Sequence, residues 1–477
     1  MMRLLLLAHR YLGIAVGLLM VMWCLSGVVM MYVGYPALRE TSRLEHLAPL
    51  EWSGCCRISD TLNRAASFGN LQVEMLAGRP VLFLGSPSDP GPIDLGTGTV
   101  VDRVSAGQAM SVARAFSGPK GVAPRLLGLI ARDQWTVSGD FDADRPLFHF
   151  ALQDAERTEL YISSTTGRAV QITTAHERFW NWLGAVPHWL YFTELRRNAS
   201  LWSRLIIYTS LLGCFLTAIG IYLGLRQFAA RPAGRWSPYR GFKLWHHMAG
   251  LTFGIFTLSW VLSGLLSMNP WGWLEGSGAQ SENAGLRGPD PSPVQLTAAL
   301  QAFAASPQTA PVSLRAAPLN GKLYFIAATA QGERQRFDAA AQPAPLSAAD
   351  LAFLTGSLSG AERPGTLQLM MGEDNLYFSH HRDSVALPVY RMSLTGSSTR
   401  YYMDSVSGML IAKLDANAQA YRWLHEGLHR LDLTAWLRTR PRWDVLMLTL
   451  LAGVTTVCAT GAYLGWRRLL GRSRSIG

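Results

Sequence analysis

His9 and His246 are the residues whose type and spacing speak first of chemistry, because each opens the same pattern. His9-Arg10-Tyr11-Leu12-Gly13 continues to Gly17, Trp23, Leu25, Ser26 and Gly27. About 237 residues later, His246-His247-Met248-Ala249-Gly250 continues to Gly254, Trp260, Leu262, Ser263 and Gly264 at the same internal spacing. Both patterns run into long apolar segments, so a histidine recurs at one depth of two membrane-length helices, where an ionisable side chain marks function by default. Helical periodicity puts His9, Gly13, Gly17, Met20, Cys24 and Gly27 on one face and His246, Gly250, Gly254, Thr257, Val261 and Gly264 on the other copy's face. A histidine nitrogen suits haem iron, glycines one and two turns on leave room for a flat macrocycle, and a second histidine closes the coordination sphere, which favours electron transfer. The same glycines would also let two helices pack closely, with the histidine as polar glue.

A second pair follows from carrying the comparison further. At an offset of about 241, Tyr161, Gly167, Trp182, His188, Trp202, Gly220, Tyr222, Gly224 and Arg226 fall on Tyr402, Gly408, Trp423, His429, Trp443, Gly461, Tyr463, Gly465 and Arg467. Shared Trp, His and Tyr at one offset make the repeat half the chain. The expected iron ligands are therefore His9 with His246 and His188 with His429, two haems at opposite faces of a membrane. Two positions break the symmetry. His247 competes with His246, since neighbours on a helix point about 100° apart, and only alignment selects His246. His425, one turn before His429, is a replacement ligand or a supporting group; Gly184 stands at its place in the first half. For His188 and His429 the alternative is a histidine that caps a helix or meets lipid headgroups. Arg10, Arg197 and Arg438 are placed to pair with haem propionates, or merely with headgroups.

Four apolar segments must position these residues: Leu12 to Val33, Leu205 to Leu225, Leu251 to Met268 and Val445 to Trp466, each long enough to span a bilayer. The first has no small-residue cleavage site before Tyr35-Pro36 and reads as an uncleaved anchor. The net charge of +11 is not a nucleic-acid signature, because it is concentrated. Arg226, Arg231, Arg235, Arg240 and Lys243 crowd the loop between segments two and three, and Arg467, Arg468, Arg472 and Arg474 fill the tail. By the positive-inside rule both termini and that loop face the cytoplasm, and the long polar regions face the other side, which in a bacterium is the periplasm.

Cys24, Cys214 and Cys458 lie in apolar helices and read as small hydrophobes. Cys55-Cys56 is a candidate vicinal disulfide in an exported region, and with no CxxCH motif there is no c-type haem attachment. His149, His176, His380 and His381 have no repeated partner and read as surface or loop residues, although His380-His381 beside Arg382-Asp383 would suit an anionic iron chelate. No hydrolase triad, HExxH, P-loop or Rossmann fingerprint occurs.

The exported regions read as α+β: a helix over 106 to 116, strands over 134 to 138, 146 to 152, 159 to 162 and 169 to 172, and later strands over 388 to 394, 399 to 403 and 409 to 414. Tyr161-Ile-Ser-Ser-Thr-Thr-Gly167 and Tyr402-Met-Asp-Ser-Val-Ser-Gly408 each resemble the end of a PepSY domain. With the His-Arg-Tyr-Leu-Gly opening and the Trp-Leu-His-x-x-Leu-His stretch at 423 to 429, nearly the whole chain resembles the PepSY-associated transmembrane helix family, bacterial inner-membrane proteins that include FoxB-type ferrisiderophore reductases. The resemblance implies four transmembrane helices, two periplasmic PepSY-like regions, b-type haem and electron transfer from a quinol or other donor to a ferric siderophore, releasing Fe(II). The expected fold is a four-transmembrane-helix bundle with an internal two-fold repeat. Its expected parts are transmembrane helix 1 (1–34), PepSY-like region 1 (35–175), an interfacial helix with transmembrane helix 2 (176–227), a basic cytoplasmic loop (228–243), transmembrane helix 3 (244–269), PepSY-like region 2 (270–418), an interfacial helix with transmembrane helix 4 (419–467) and a cytoplasmic tail (468–477). Competing readings are a haem conduit to another periplasmic acceptor, a haem-free PepSY regulator of a peptidase or transporter, and a small transporter, for which so few helices leave little room.

Overall fold

The computed structural model describes residues 1–58, 71–84, 91–118, 121–306, 311–359, 363–381 and 384–473. Four helices are long and apolar enough to cross a membrane: Met2–Met30, Ala199–Ala229, Phe242–Ser267 and the Arg442–Leu470 part of Arg442–Ser473. Each expected segment falls on one of these helices, which start earlier; the first and third expected segments, ending at Val33 and Met268, run past the helix ends at Met30 and Ser267. At about 1.5 Å per residue the extra turns carry the ends beyond a hydrocarbon core of about 30 Å. The first and third long helices both pack against the second and the fourth. Val16, Met20, Leu216, Val454 and Cys458 are buried together where they meet.

Among the described residues there are also three antiparallel sheets. Arg125–Ile130, Leu147–Ala151, Glu159–Ser163 and Ala169–Thr173 form one four-stranded sheet, and Arg363–Met370, Val389–Thr395, Arg400–Asp404 and Leu410–Leu414 form another in the same order. The first packs with helix Ala106–Ser117, started by a Ser105–Gln108 capping box. The second packs with helix Ala348–Ser359. In each sheet a fully buried tyrosine donates to an aspartate: Tyr161 to Asp133 at 2.6 Å and Tyr402 to Asp374 at 2.9 Å. This explains one departure from the sequence reading. Residues 134 to 138 form a turn, not a strand, because the Asp133 carboxylate also accepts from the Trp135 and Thr136 amides and folds the chain around itself.

The third sheet joins the region that follows the first long helix to the region that follows the third. Its seven strands run from Arg334–Asp338 through Tyr324–Ala328 and Ser313–Ala316 to Gln72–Leu76, then Arg79–Phe83, Ile93–Asp94 and Thr99–Val100. At the junction Val73 faces Leu314, Gln72 faces Arg315 and Glu74 faces Ser313. Gln72 and Ser313, 241 residues apart, also share a hydrogen bond of 2.7 Å. This pairing is reciprocal, as at a two-fold contact between like strands. Helix Pro293–Ala305 buries Leu296, Leu300 and Phe303 against the sheet. Cys55 and Cys56 are disulfide-bonded at its edge, and Cys24, Cys214 and Cys458 are free thiols.

Candidate functional site

His9 lies near the start of the first long helix and His246 near the start of the third. Their ring centres are 6.1 Å apart, with planes inclined at 37°. His188 lies on the short helix Ala185–Trp189, which packs against the first long helix. His429 lies on the turn Leu428–Arg430, against the third. Their ring centres are also 6.1 Å apart, with planes at 72°. Since a ring nitrogen lies roughly 1.1 Å from its centre and a metal–imidazole bond is about 2.0 Å, two rings on opposite sides of one metal ion have centres about 6.2 Å apart. Both couples have the spacing of axial ligands.

The other ring nitrogen is held in the same manner in all four. His9 Nδ1 is 3.2 Å from the Leu216 carbonyl, and His246 Nδ1 is 3.1 Å from that of Val457. His188 Nδ1 is 3.1 Å from the Trp23 carbonyl and from Ser26 Oγ. His429 Nδ1 is 3.0 Å from Ser263 Oγ. A carbonyl only accepts, so Nδ1 carries the proton facing it. Ser26 and Ser263 spend their own hydrogens on the Met22 and Trp260 carbonyls, so they too accept. Every ring is thereby fixed in the Nδ1–H tautomer, with the Nε2 lone pair left for a metal, the support that metal-bound histidines usually have. Burial pushes His188 down to about 4 and His429 to about 3, so both are neutral, as ligands must be.

Four glycines face these rings. A Cβ at Gly220 would come within 2.7 Å of His9 Cε1, and one at Gly461 within 3.0 Å of His246 Cε1. At Gly27 and Gly264 it would be 3.6 and 3.5 Å from Cε1 of His188 and His429. Sequence comparison aligned these glycines without assigning them to the site. The glycines expected to seat a macrocycle divide. Gly250 has no atom within 4 Å of such a Cβ, and Gly13 only Leu216 at 3.9 Å. Gly17 instead lies against Ala462 and Gly254 against Ile221, so these two serve helix packing.

The two ambiguous histidines separate clearly. His247 has both nitrogens engaged, Nδ1 with Ser237 Oγ at 2.8 Å and Nε2 with the Gly224 carbonyl at 3.0 Å, so no lone pair faces the couple. His425 lies in a π-helical turn, Arg422–Gly427, with Nδ1 3.2 Å from the Ser263 carbonyl and its ring 5.5 Å from that of His429. Burial lowers it to about 4, so it is a neutral third ring beside the His188–His429 couple.

The remaining candidates belong to neither couple. Arg197 pairs with Glu194 at 3.2 Å, Arg438 lies over Phe378, and Arg10 is exposed. His149 stacks on Tyr161 and bonds Glu159 at 2.9 Å, and His176 leans on Trp180. His380 and His381 flank the buried Asp432 at 3.8 and 3.7 Å, while Arg382-Asp383 lie outside the described residues. Among the described residues no group of three or more His, Cys, Asp or Glu is arranged to hold a metal ion; the couples offer two imidazoles, the number a porphyrin-bound iron still lacks. No family model and no curated protein sequence matches the chain.

Proposed function

We propose that the chain is a bacterial inner-membrane ferric-chelate reductase of the PepSY-associated transmembrane type, carrying two b-type haems and passing electrons to a periplasmic ferric siderophore. The observation that carries this reading is the pair of imidazole couples, each 6.1 Å between ring centres. In it the four long helices form a bundle with an internal two-fold repeat, and the sheets that follow the first and third are PepSY-like. Both termini and the basic loop face the cytoplasm, in keeping with the clustered arginines.

His9 and His246 would hold the inner haem and His188 and His429 the outer one, and haem so held supplies one-electron transfer at the iron. The rest is the work of the chain. The four Nδ1–H bonds would leave each Nε2 lone pair free for the iron and raise its basicity. The glycines opposite the rings keep Cβ atoms out of their way. From His9 to Ser26 the first helix rises about 26 Å, so the couples lie near opposite faces of a bilayer, the inner one to take electrons from a quinol or other donor. One-electron reduction suffices at the outer end, because hard oxygen ligands hold Fe(III) far better than Fe(II).

Absorption spectroscopy of the purified protein tests this. The reading expects a b-type Soret and α band that respond to dithionite, two haems per chain, and reoxidation by a ferric siderophore. Absence of reducible bands in haem-supplied cells would refute it in favour of a haem-free regulator. Reducible haem that no ferric chelate reoxidises would favour a conduit to another acceptor.

A further inference from the structure

The two halves of the chain match at both couples but not beside the outer one. A cavity of about 540 Å³ opens there, lined by Tyr377, Phe378 and His380 on one side and Tyr421, Arg422 and Glu426 on the other. That volume lies within the roughly 300–1,000 Å³ of small-molecule sites. Arg422 is only 4% exposed. Its Nε and Nη2 donate to the carbonyls of Asn375 and Asp432 at 2.7 and 2.6 Å, while Nη1 is buried without a partner. Its guanidinium, held over the rings of Phe378 and Trp423, sets a fixed positive charge in the wall of the cavity, which suits an oxygen-donor ligand.

The cavity is also wired to the couple. Tyr421, on its wall, has its ring centre 5.4 Å from that of His425, which lies 5.5 Å from His429, which lies 6.1 Å from His188. His425 reaches this place through a π-helical turn, a local rewinding that recurs at functional sites. In the first half Gly184 holds the aligned position, and a Cβ there would come within 3.0 Å of Val29. That half has no room for the third ring. A symmetric pair of ligands needs no such departure; a single acceptor approaching from one side does.

We propose that this cavity is the docking site of the electron acceptor, a small oxygen-ligated ferric chelate, and that His425 bridges it to the outer couple. The proposal rests on the ferric-chelate reductase reading and adds its substrate site. In the step, Fe(III) of the docked chelate gains one electron and becomes Fe(II), matched by one-electron oxidation of ferrous haem at the outer couple. No bond forms or breaks in the transfer, and no proton is needed until the chelator lets the metal go.

The test uses full-length protein in detergent and two probes, tris(acetohydroxamato)iron(III) as oxidant and its redox-inert gallium(III) counterpart as a pure ligand. Ala418 and Val385 lie on different walls of the cavity, and Ala418→Trp and Val385→Trp fill it. Each is expected to weaken gallium-chelate binding in calorimetry by about tenfold or more and to slow single-turnover reoxidation by the iron chelate. Reoxidation by hexaammineruthenium(III), which needs no cavity, should be unchanged. His425→Leu is expected to keep both haems and normal gallium-chelate binding yet slow reoxidation by the iron chelate, a split that a merely structural residue would not give. If either tryptophan variant loses its haem through misfolding, the other decides. Unaltered gallium-chelate binding in a folded tryptophan variant overturns the docking site, and unaltered reoxidation in His425→Leu overturns the bridge. A chain without haem would defeat the parent reading separately, leaving the gallium titration to judge the cavity.

Discussion

The inner and outer couples have the same ring separation but are held by different means. Inside, His9 and His246 each lean on a carbonyl of the neighbouring long helix, with a glycine close against the ring. Outside, His188 and His429 sit on short helices and are held by serines of the first and third long helices, with glycines at ordinary contact distance. The inner couple is thus built into the packing of the long helices, while the outer one joins them from short helices through serine hydroxyls together with the Trp23 and Trp260 carbonyls. The difference suggests a division of labour in which the inner site is rigid and the outer site can be tuned and, through His425, connected to something else.

Removing a ligand should break the comparison most severely. His188→Ala or His429→Ala is expected to abolish the outer haem and leave the inner, so that haem content and Soret intensity fall by about half. His9→Ala or His246→Ala should do the converse, whereas His247→Ala should retain both haems because that ring is committed to Ser237 and Gly224. Haem quantification checks all five. Two independent couples could not be upheld if one substitution removed both haems, or if His247→Ala behaved like His246→Ala.

The glycines give the next largest effect and divide the couples. Gly220→Ala and Gly461→Ala put a Cβ 2.7 and 3.0 Å from an inner histidine, so the ring or the helix must shift, and partial or complete loss of the inner haem is expected. Gly27→Ala and Gly264→Ala add a contact at 3.6 and 3.5 Å, which is ordinary, and an interior helical Gly→Ala exchange is worth about 0.5–1 kcal/mol in the helix's favour. Those two variants should keep both haems with unchanged or higher thermal stability. Equal tolerance at all four positions would show that the inner couple is no more tightly enclosed than the outer.

Much of this geometry was legible from recurrence. The four long helices follow from apolar length, and the pairing of His9 with His246 and His188 with His429 follows from offset alone. The strands around Tyr161 and Tyr402 follow from alternation and a Gly turn. What escaped was whatever depends on contacts between segments remote in the chain. Ser26, Ser263, Gly220 and Gly461 were visible as matched positions, but that they meet histidines from other helices is a property of packing. The turn after Asp133 looked like a strand because one carboxylate folded it. The pairing of Gln72–Leu76 with Ser313–Ala316 joins regions that had been read as separate, since strand partners leave no local trace. His246 and His247 were inseparable until the acceptors around His247 were known.

The smallest effect should appear at the serines, because each is one of two acceptors beside its histidine. Ser26 Oγ and Ser263 Oγ accept from the Nδ1–H of His188 and His429. His188 keeps the Trp23 carbonyl as a second acceptor, and Trp260 offers its carbonyl to His429 in the same way. Ser26→Ala or Ser263→Ala therefore weakens the support of a ligand without removing it, and haem content should not change. An imidazole that loses an acceptor at Nδ1 becomes a poorer electron donor to the iron, which destabilises the ferric form. The midpoint potential of the outer haem should rise. A hydrogen bond worth about 1 kcal/mol corresponds to about 40 mV for one electron, and the surviving acceptor makes that an upper bound. Redox titration of each variant measures this, with the inner haem as internal reference. A downward shift, or an equal shift in both haems, would mean that the serines do not act on the outer ligands through these bonds.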